Sequence, residues 1–184
     1  MNQKLRCEPG AVLLLGILLF TLTIIEIAAL LSAAAVHEAG HLIALLLARL
    51  PPTGVEFSLS GPVILYHQTD SKMKMLCSAL SGPVAGLFFT CMIYRLWPIC
   101  AEFSFLLSLI NLLPVLPLDG GRALEAVLPN RFHFLISILG FLIPVLFLLS
   151  GLSFVAERQN GSGLLMFGAW LLLLSCQETQ FDVK

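Results

Sequence analysis

The sequence predicts an all-α polytopic membrane protein, a bundle of about six transmembrane helices with a small β-hairpin at the membrane surface. Three observations carry that prediction. Of the 184 residues, 58% are hydrophobic and only 11% charged, against about 25% charged in a soluble domain, and the mean hydropathy is +0.96. The apolar residues fall in long stretches rather than in the alternating patches of a soluble core. One segment between them, VEFSLSGPVILYH, instead places β-forming residues on both sides of Ser60-Gly61-Pro62, a turn signal.

The elements follow in order. MNQKLRCEPG has the charge pattern of a signal-peptide start, but no small-residue cleavage site follows the apolar run 11–22, so that run is read as a retained anchor and first span. The next apolar run is 27–50. An unbroken helix over 11–50 would be about 60 Å long, twice the hydrocarbon thickness of about 30 Å. A turn at 21–26 must therefore divide it, with Glu26 on the watery side. The hairpin is expected over 55–67, and four further spans over 75–96, 103–118, 132–149 and 163–176. Trp97 and Trp170 are read as interfacial anchors at span ends. Residues 1–184 show no internal repeat, low-complexity tract or second soluble region, and are read as one membrane-embedded domain.

Charge sets the orientation. With the N-terminus cytoplasmic, the inner side receives Lys4, Arg6, Arg49, Lys72, Lys74, Arg122, Arg131 and Lys184, leaving Arg95 and Arg158 outside. That asymmetry favours both termini inside. The formal net charge is −1, and without a basic run or an aromatic-plus-basic motif nucleic acid is excluded as a partner. The 5 cysteines have no paired spacing, so they are read as small membrane-core residues rather than a disulfide framework.

Chemistry enters in SAAAVHEAGHLI. Residues four apart share a helix face, so His37 and His41 can address one ion while Glu38, one position round, reaches a water beside it. Ionisable groups within a span are costly and normally mark function. A catalytic zinc site takes three protein ligands and keeps a position open, and NLLPVLPLDGGR offers the third. Asp119 is the only acidic residue of that stretch, and the two glycines after it allow close backbone approach. Pro114 and Pro117 prevent an ordinary helix there, so the segment is extended or kinked at membrane depth. PLDGGR by itself also reads as a simple turn at a span end. Arg122 either orients Asp119 or meets lipid headgroups. His67 and His133, near loops and without motif partners, are read as exposed.

These residues carry a resemblance. His37-Glu38-x-x-His41 followed by Asp119-Gly120 resembles the site-2 proteases, intramembrane zinc metalloproteases. HEAGH, Ser81-Gly82-Pro83 and NLLPVLPLDGGR together look like the sporulation-type subgroup that processes a membrane-tethered pro-sigma factor. The resemblance covers roughly residues 9–176. It implies Zn2+ as cofactor, a transmembrane protein as substrate, and a bacterial cytoplasmic membrane with the active site towards the cytoplasm. It also matches Asn111 to the asparagine ahead of the family's Asp-Gly motif, where it binds substrate or the developing oxyanion; the other reading of Asn111 is a cap before Pro114. The sequence departs from the family in having Val84, Ala85 and Gly86 after Pro83, where an asparagine is frequent. The space between Arg49 and Met75 is too short for a PDZ domain and no CBS domain follows Cys176, so control by a separate regulatory membrane protein is expected.

Both routes lead to peptide hydrolysis, with His37, His41 and Asp119 holding zinc and Glu38 as general base. Two rivals stand beside it. A non-catalytic membrane binding protein or chaperone of the same fold would be marked by loss of the glutamate, and Glu38 is present. A metal transporter would show polar residues on several spans, and one compact cluster is visible.

Overall fold

A computed structural model describes residues 4–7, 16, 19, 21–58, 61–66, 71–157 and 160–181. The order of elements is β1 (Lys4–Cys7), α1 (Ile24–Leu47), β2 (Pro52–Ser58), β3 (Gly61–Tyr66), α2 (Lys72–Ile93), α3 (Pro98–Asn111), α4 (Asp119–Val127), a 3-10 turn (Asn130–Phe132), α5 (Phe134–Ala156) and α6 (Ser162–Phe181). The all-α membrane class with a small sheet holds. α1, α2 and α5 are long and apolar enough to cross a membrane; α3 and the apolar part of α6 are shorter. The expected first span, 11–22, lies largely outside the described residues.

α1 starts where the sequence required a break. Thr23 is its N-cap, with its hydroxyl accepting from the Glu26 amide and the Glu26 carboxylate accepting from the Thr23 amide at 2.8 Å. This reciprocal capping box satisfies two amides that a helix start leaves unpaired. The helix ends in a Schellman motif, Arg49 N–H to Leu46 at 3.0 Å and Leu50 N–H to Leu45 at 2.9 Å. Arg49 occupies its left-handed position at φ 59°, where glycine is usual.

β2 and β3 form the expected hairpin, antiparallel from Pro52↔Tyr66 to Ser58↔Gly61. Its strands begin three residues earlier and end one residue earlier than the sequence suggested. β1 was not expected at all: the basic N-terminal residues Lys4–Cys7 add a parallel strand to β2, in register from Lys4↔Gly54 to Cys7↔Phe57. The sheet order is β1-β2-β3, which covers one edge of the central strand.

The fourth expected span is a shorter helix followed by a loop. Pro98 opens α3 in the first turn, where its missing N–H costs nothing. The helix stops at Asn111 because Pro114 and Pro117 follow, and the Leu116–Pro117 peptide is cis. α2 packs against α1, α3 and α4, whereas α5 and α6 pack chiefly on each other. The two groups meet in a cluster of Val115, Leu118, Leu171 and Leu174. Trp170 belongs to that contact, packed against the cluster and Phe167 in the middle of α6. It is therefore not the span-end anchor expected of it.

Small residues bring α2 and α3 together. Ser104, buried on α3, donates to the Gly86 carbonyl of α2 at 2.9 Å, and Ser108 packs over Gly86 while donating to Ser104 at 2.8 Å. Such close, hydrogen-bonded contacts hold helices together where lipid removes the hydrophobic drive between them. The outward faces carry large apolar side chains such as Leu31, Phe88, Phe141 and Leu173, suited to hydrocarbon.

Candidate metal centre

Two helices supply the ligating atoms. His37 and His41 lie one turn apart on α1, about 20 and 26 Å from its start in a helix about 36 Å long. Asp119 is the first residue of α4. The carboxylate reaches the histidines because the loop 112–118 folds back over the first turn of α4. A Cβ on Gly120 would collide with the Leu112 carbonyl, and one on Gly121 would lie 2.6 Å from Val115 carbon. The two glycines after Asp119 are thus required by the approach of backbone to backbone.

The cluster is tight and largely buried. His37 Nε2 lies 3.0 Å from Asp119 Oδ2, His41 Nε2 lies 3.1 Å from the same oxygen, and the two Nε2 atoms are 3.2 Å apart. His37 is 3% exposed and Asp119 8%. Four-coordinate zinc with bonds of about 2.0–2.2 Å places neighbouring donors roughly 3.3–3.5 Å apart. The observed 3.0, 3.1 and 3.2 Å separations are a few tenths of an ångström shorter than that, a gap that small side-chain rotations open, and two imidazole nitrogens with one carboxylate oxygen are a donor set that suits zinc and leaves a position for substrate or water. The three form a group with ligand atoms within 4.8 Å of one another.

The outer nitrogens of the two histidines differ. His41 Nδ1 lies 2.7 Å from the main-chain carbonyl of Ser78. Nδ1 therefore carries the proton and donates it, leaving the Nε2 lone pair directed into the cluster. His37 Nδ1 is buried and meets no hydrogen-bond partner among the described residues.

The remaining site residues of the sequence reading are placed as follows. Glu38 is half-buried, within electrostatic range of His41, His37, Asp119 and Arg122. Asn111 is the last residue of α3 and is not one of the three groups that form the cluster. Its side-chain amide donates to the Leu107 carbonyl at 3.0 Å, one of two N–H bonds it can give. His133 is half-buried rather than exposed, with Nε2 shielded and unpartnered among the described residues; His67 lies outside them. The sequence reading has Ser81-Gly82-Pro83 only as part of the resemblance, gives Ser81 and Gly82 no part in the centre, and does not single out Ser78. The available signal was a Gly-Pro step inside an apolar span, which has no helix-forming reason to be there.

Helices long and apolar enough to cross a membrane, with a His-His-Asp cluster able to hold a metal ion between them, are the features of an integral-membrane metalloprotein. The family model described as peptidase family M50 matches residues 58–150, a segment that includes Asp119 and excludes HEAGH. The chain belongs to peptidase family M50 and is a membrane metalloprotease of the site-2 protease type. The fold is similar to that of the site-2 protease from Methanocaldococcus jannaschii, with a TM-score of 0.71 at 18% identity, over 97% of this chain and 91% of that one. Among curated proteins none matches the chain.

Proposed function

We propose that this protein is an intramembrane zinc endopeptidase that hydrolyses a peptide bond in or near the transmembrane segment of another membrane protein. The observation that supports it is the convergence of His37 Nε2, His41 Nε2 and Asp119 Oδ2 within 3.0–3.2 Å of one another. His37, His41 and Asp119 would hold Zn2+, which when bound would supply Lewis acidity to a water and to the scissile carbonyl. Glu38 accepts the proton of the attacking water and returns it to the leaving amide nitrogen, so that hydroxyl adds to carbon as the C–N bond breaks. Asn111 keeps one amide N–H available for the substrate backbone or the developing oxyanion.

A helical substrate must unwind before its carbonyl is accessible. The β2–β3 sheet offers an edge that can pair with the unwound strand by β-augmentation. The charge asymmetry favours an orientation with the termini and the centre on the cytoplasmic side. The sporulation-like motifs favour a membrane-tethered transcription-factor precursor as the substrate class, with control by a separate membrane protein.

The test compares membrane-protein fragments in cells expressing the wild type or Glu38→Gln at equal levels, with zinc content measured on both purified proteins. Shortened single-span proteins found only with the wild type, at equal zinc content, are the expected result. Equal cleavage by Glu38→Gln removes Glu38 from the role of base.

A further inference from the structure

The Ser81-Gly82-Pro83 step of α2 has no role in the hydrolysis described so far, yet it lies against the metal centre. The Ser78 carbonyl, one turn earlier, receives His41 Nδ1 at 2.7 Å and also the Ser81 hydroxyl at 2.7 Å. With its proton given to that carbonyl, the Ser81 oxygen stands 3.5 Å from His41 Nδ1 and presents lone pairs to it. His41 is thus bounded on its outer side by two oxygens, which leaves its ring a single orientation and a single tautomer.

Gly82 bounds the other side. A Cβ built on it would overlap the His41 Nε2 nitrogen and lie 2.7 Å from both neighbouring ring carbons. The missing side chain is therefore missing next to the ligating atom, where the ion has to sit. Gly40, across the same helix contact, meets the Ser81 carbonyl at 2.6 Å and Ala85 Cβ at 2.7 Å from its own would-be Cβ. That contact presses α1 and α2 together and fixes the height of Ser81 and Gly82 relative to His41.

We propose that Ser81 and Gly82 are positioning residues of the metal centre: Ser81, through the Ser78 carbonyl, holds His41 in its metal-binding tautomer, and Gly82 keeps clear the space in front of His41 Nε2. This rests on the metal-centre reading above. It gives the two residues a part in binding the ion that differs from helix packing.

The experiment measures the zinc dissociation constant by chelator competition on the full chain in nanodiscs, the visible spectrum of the cobalt-loaded protein, and the thermal stability of the metal-free protein. Loss of a group that orients a ligand typically weakens metal binding about 10–100-fold. Ser81→Ala is expected to weaken zinc about 10-fold and shift the cobalt bands, while Ser81→Thr, which keeps the hydroxyl, stays within about 3-fold of wild type. Gly82→Ala is expected to weaken zinc about 100-fold or more. Gly86→Ala, one turn further on, forces a Cβ against Ser108 Oγ and serves as the packing control, losing stability while keeping zinc affinity. Unchanged zinc affinity in Gly82→Ala, or an equal loss in Gly86→Ala, overturns the role of Gly82. Should Gly82→Ala fail to fold, the serine pair decides: Ser81→Ala binding as tightly as Ser81→Thr overturns the proposal. A wild type that binds no zinc overturns the metal-centre reading itself, an outcome distinct from tight binding in all variants.

Discussion

The ammonium of Lys74 donates to the carbonyl of Ala48 at 2.9 Å, so the start of α2 caps the end of α1. Two lysines on the first turn of α2 act in this way, since Lys72 reaches the Leu128 carbonyl just past α4 at 3.4 Å. A cation at a helix C-terminus satisfies a carbonyl and opposes the negative end of the helix dipole, worth about 0.3–1 kcal/mol when exposed. Lys74→Gln is expected to destabilise the protein by about that amount and Lys74→Arg to leave it unchanged, as read by steric-trap unfolding in bicelles. Indistinguishable stability of Lys74→Gln and wild type would remove the cap from the account.

Arg49 holds φ 59° at the left-handed position of the α1 Schellman motif. Glycine adopts that conformation without steric cost. Arg49→Gly is therefore expected to stabilise the protein by about 0.5–1 kcal/mol in the same unfolding measurement. A loss of stability would mean that the guanidinium makes a contact worth more than the strain.

Leu171 is fully buried and packs in the cluster with Val115 and Leu118, directly ahead of Asp119. Leu171→Ala opens a cavity there, with an expected cost of about 2–4 kcal/mol. Because the loosened residue adjoins a ligand, zinc affinity should fall along with stability. Chelator competition that finds full affinity in a destabilised variant would show that Asp119 is held by the glycine contacts of its own loop alone.

Asn111 is proposed to act on substrate and not on metal. Asn111→Ala should lower kcat/KM about 10²–10³-fold, the typical effect of removing an oxyanion donor, at unchanged zinc content. Activity within a few-fold of wild type would leave the residue as a helix-terminal cap, bonded to Leu107 and nothing more.

The chemistry of this chain was legible in the sequence because it depends on spacing and on polar residues where none is expected. His37 and His41 must share a helix face whatever surrounds them, and Asp119 stands alone in an apolar approach. The break before α1 was legible from length alone, and the hairpin from β-forming residues around a turn. β1 was not, since Leu5-Arg6-Cys7 has no strand pattern of its own and pairs with residues about fifty positions away. The anchoring of His41 was hidden for a different reason: its acceptor is a main-chain carbonyl, a group that every residue carries. Trp170 was misread as a span-end anchor although it stands at the middle of the apolar run 163–176, where an aromatic is free to pack inward, as it does on Phe167 and the loop 115–118.

The histidines and their aspartate partner are separated by 82 and 78 positions, and α2, made between them, packs against both of the helices that carry them. During synthesis the HEAGH helix is therefore inserted long before Asp119 leaves the ribosome. A nascent chain holding only α1 and α2 has two of three ligands and no completed centre. On the metal-centre reading, hydrolytic competence arrives late and all at once, when Asp119 joins two histidines that were placed 82 and 78 positions earlier.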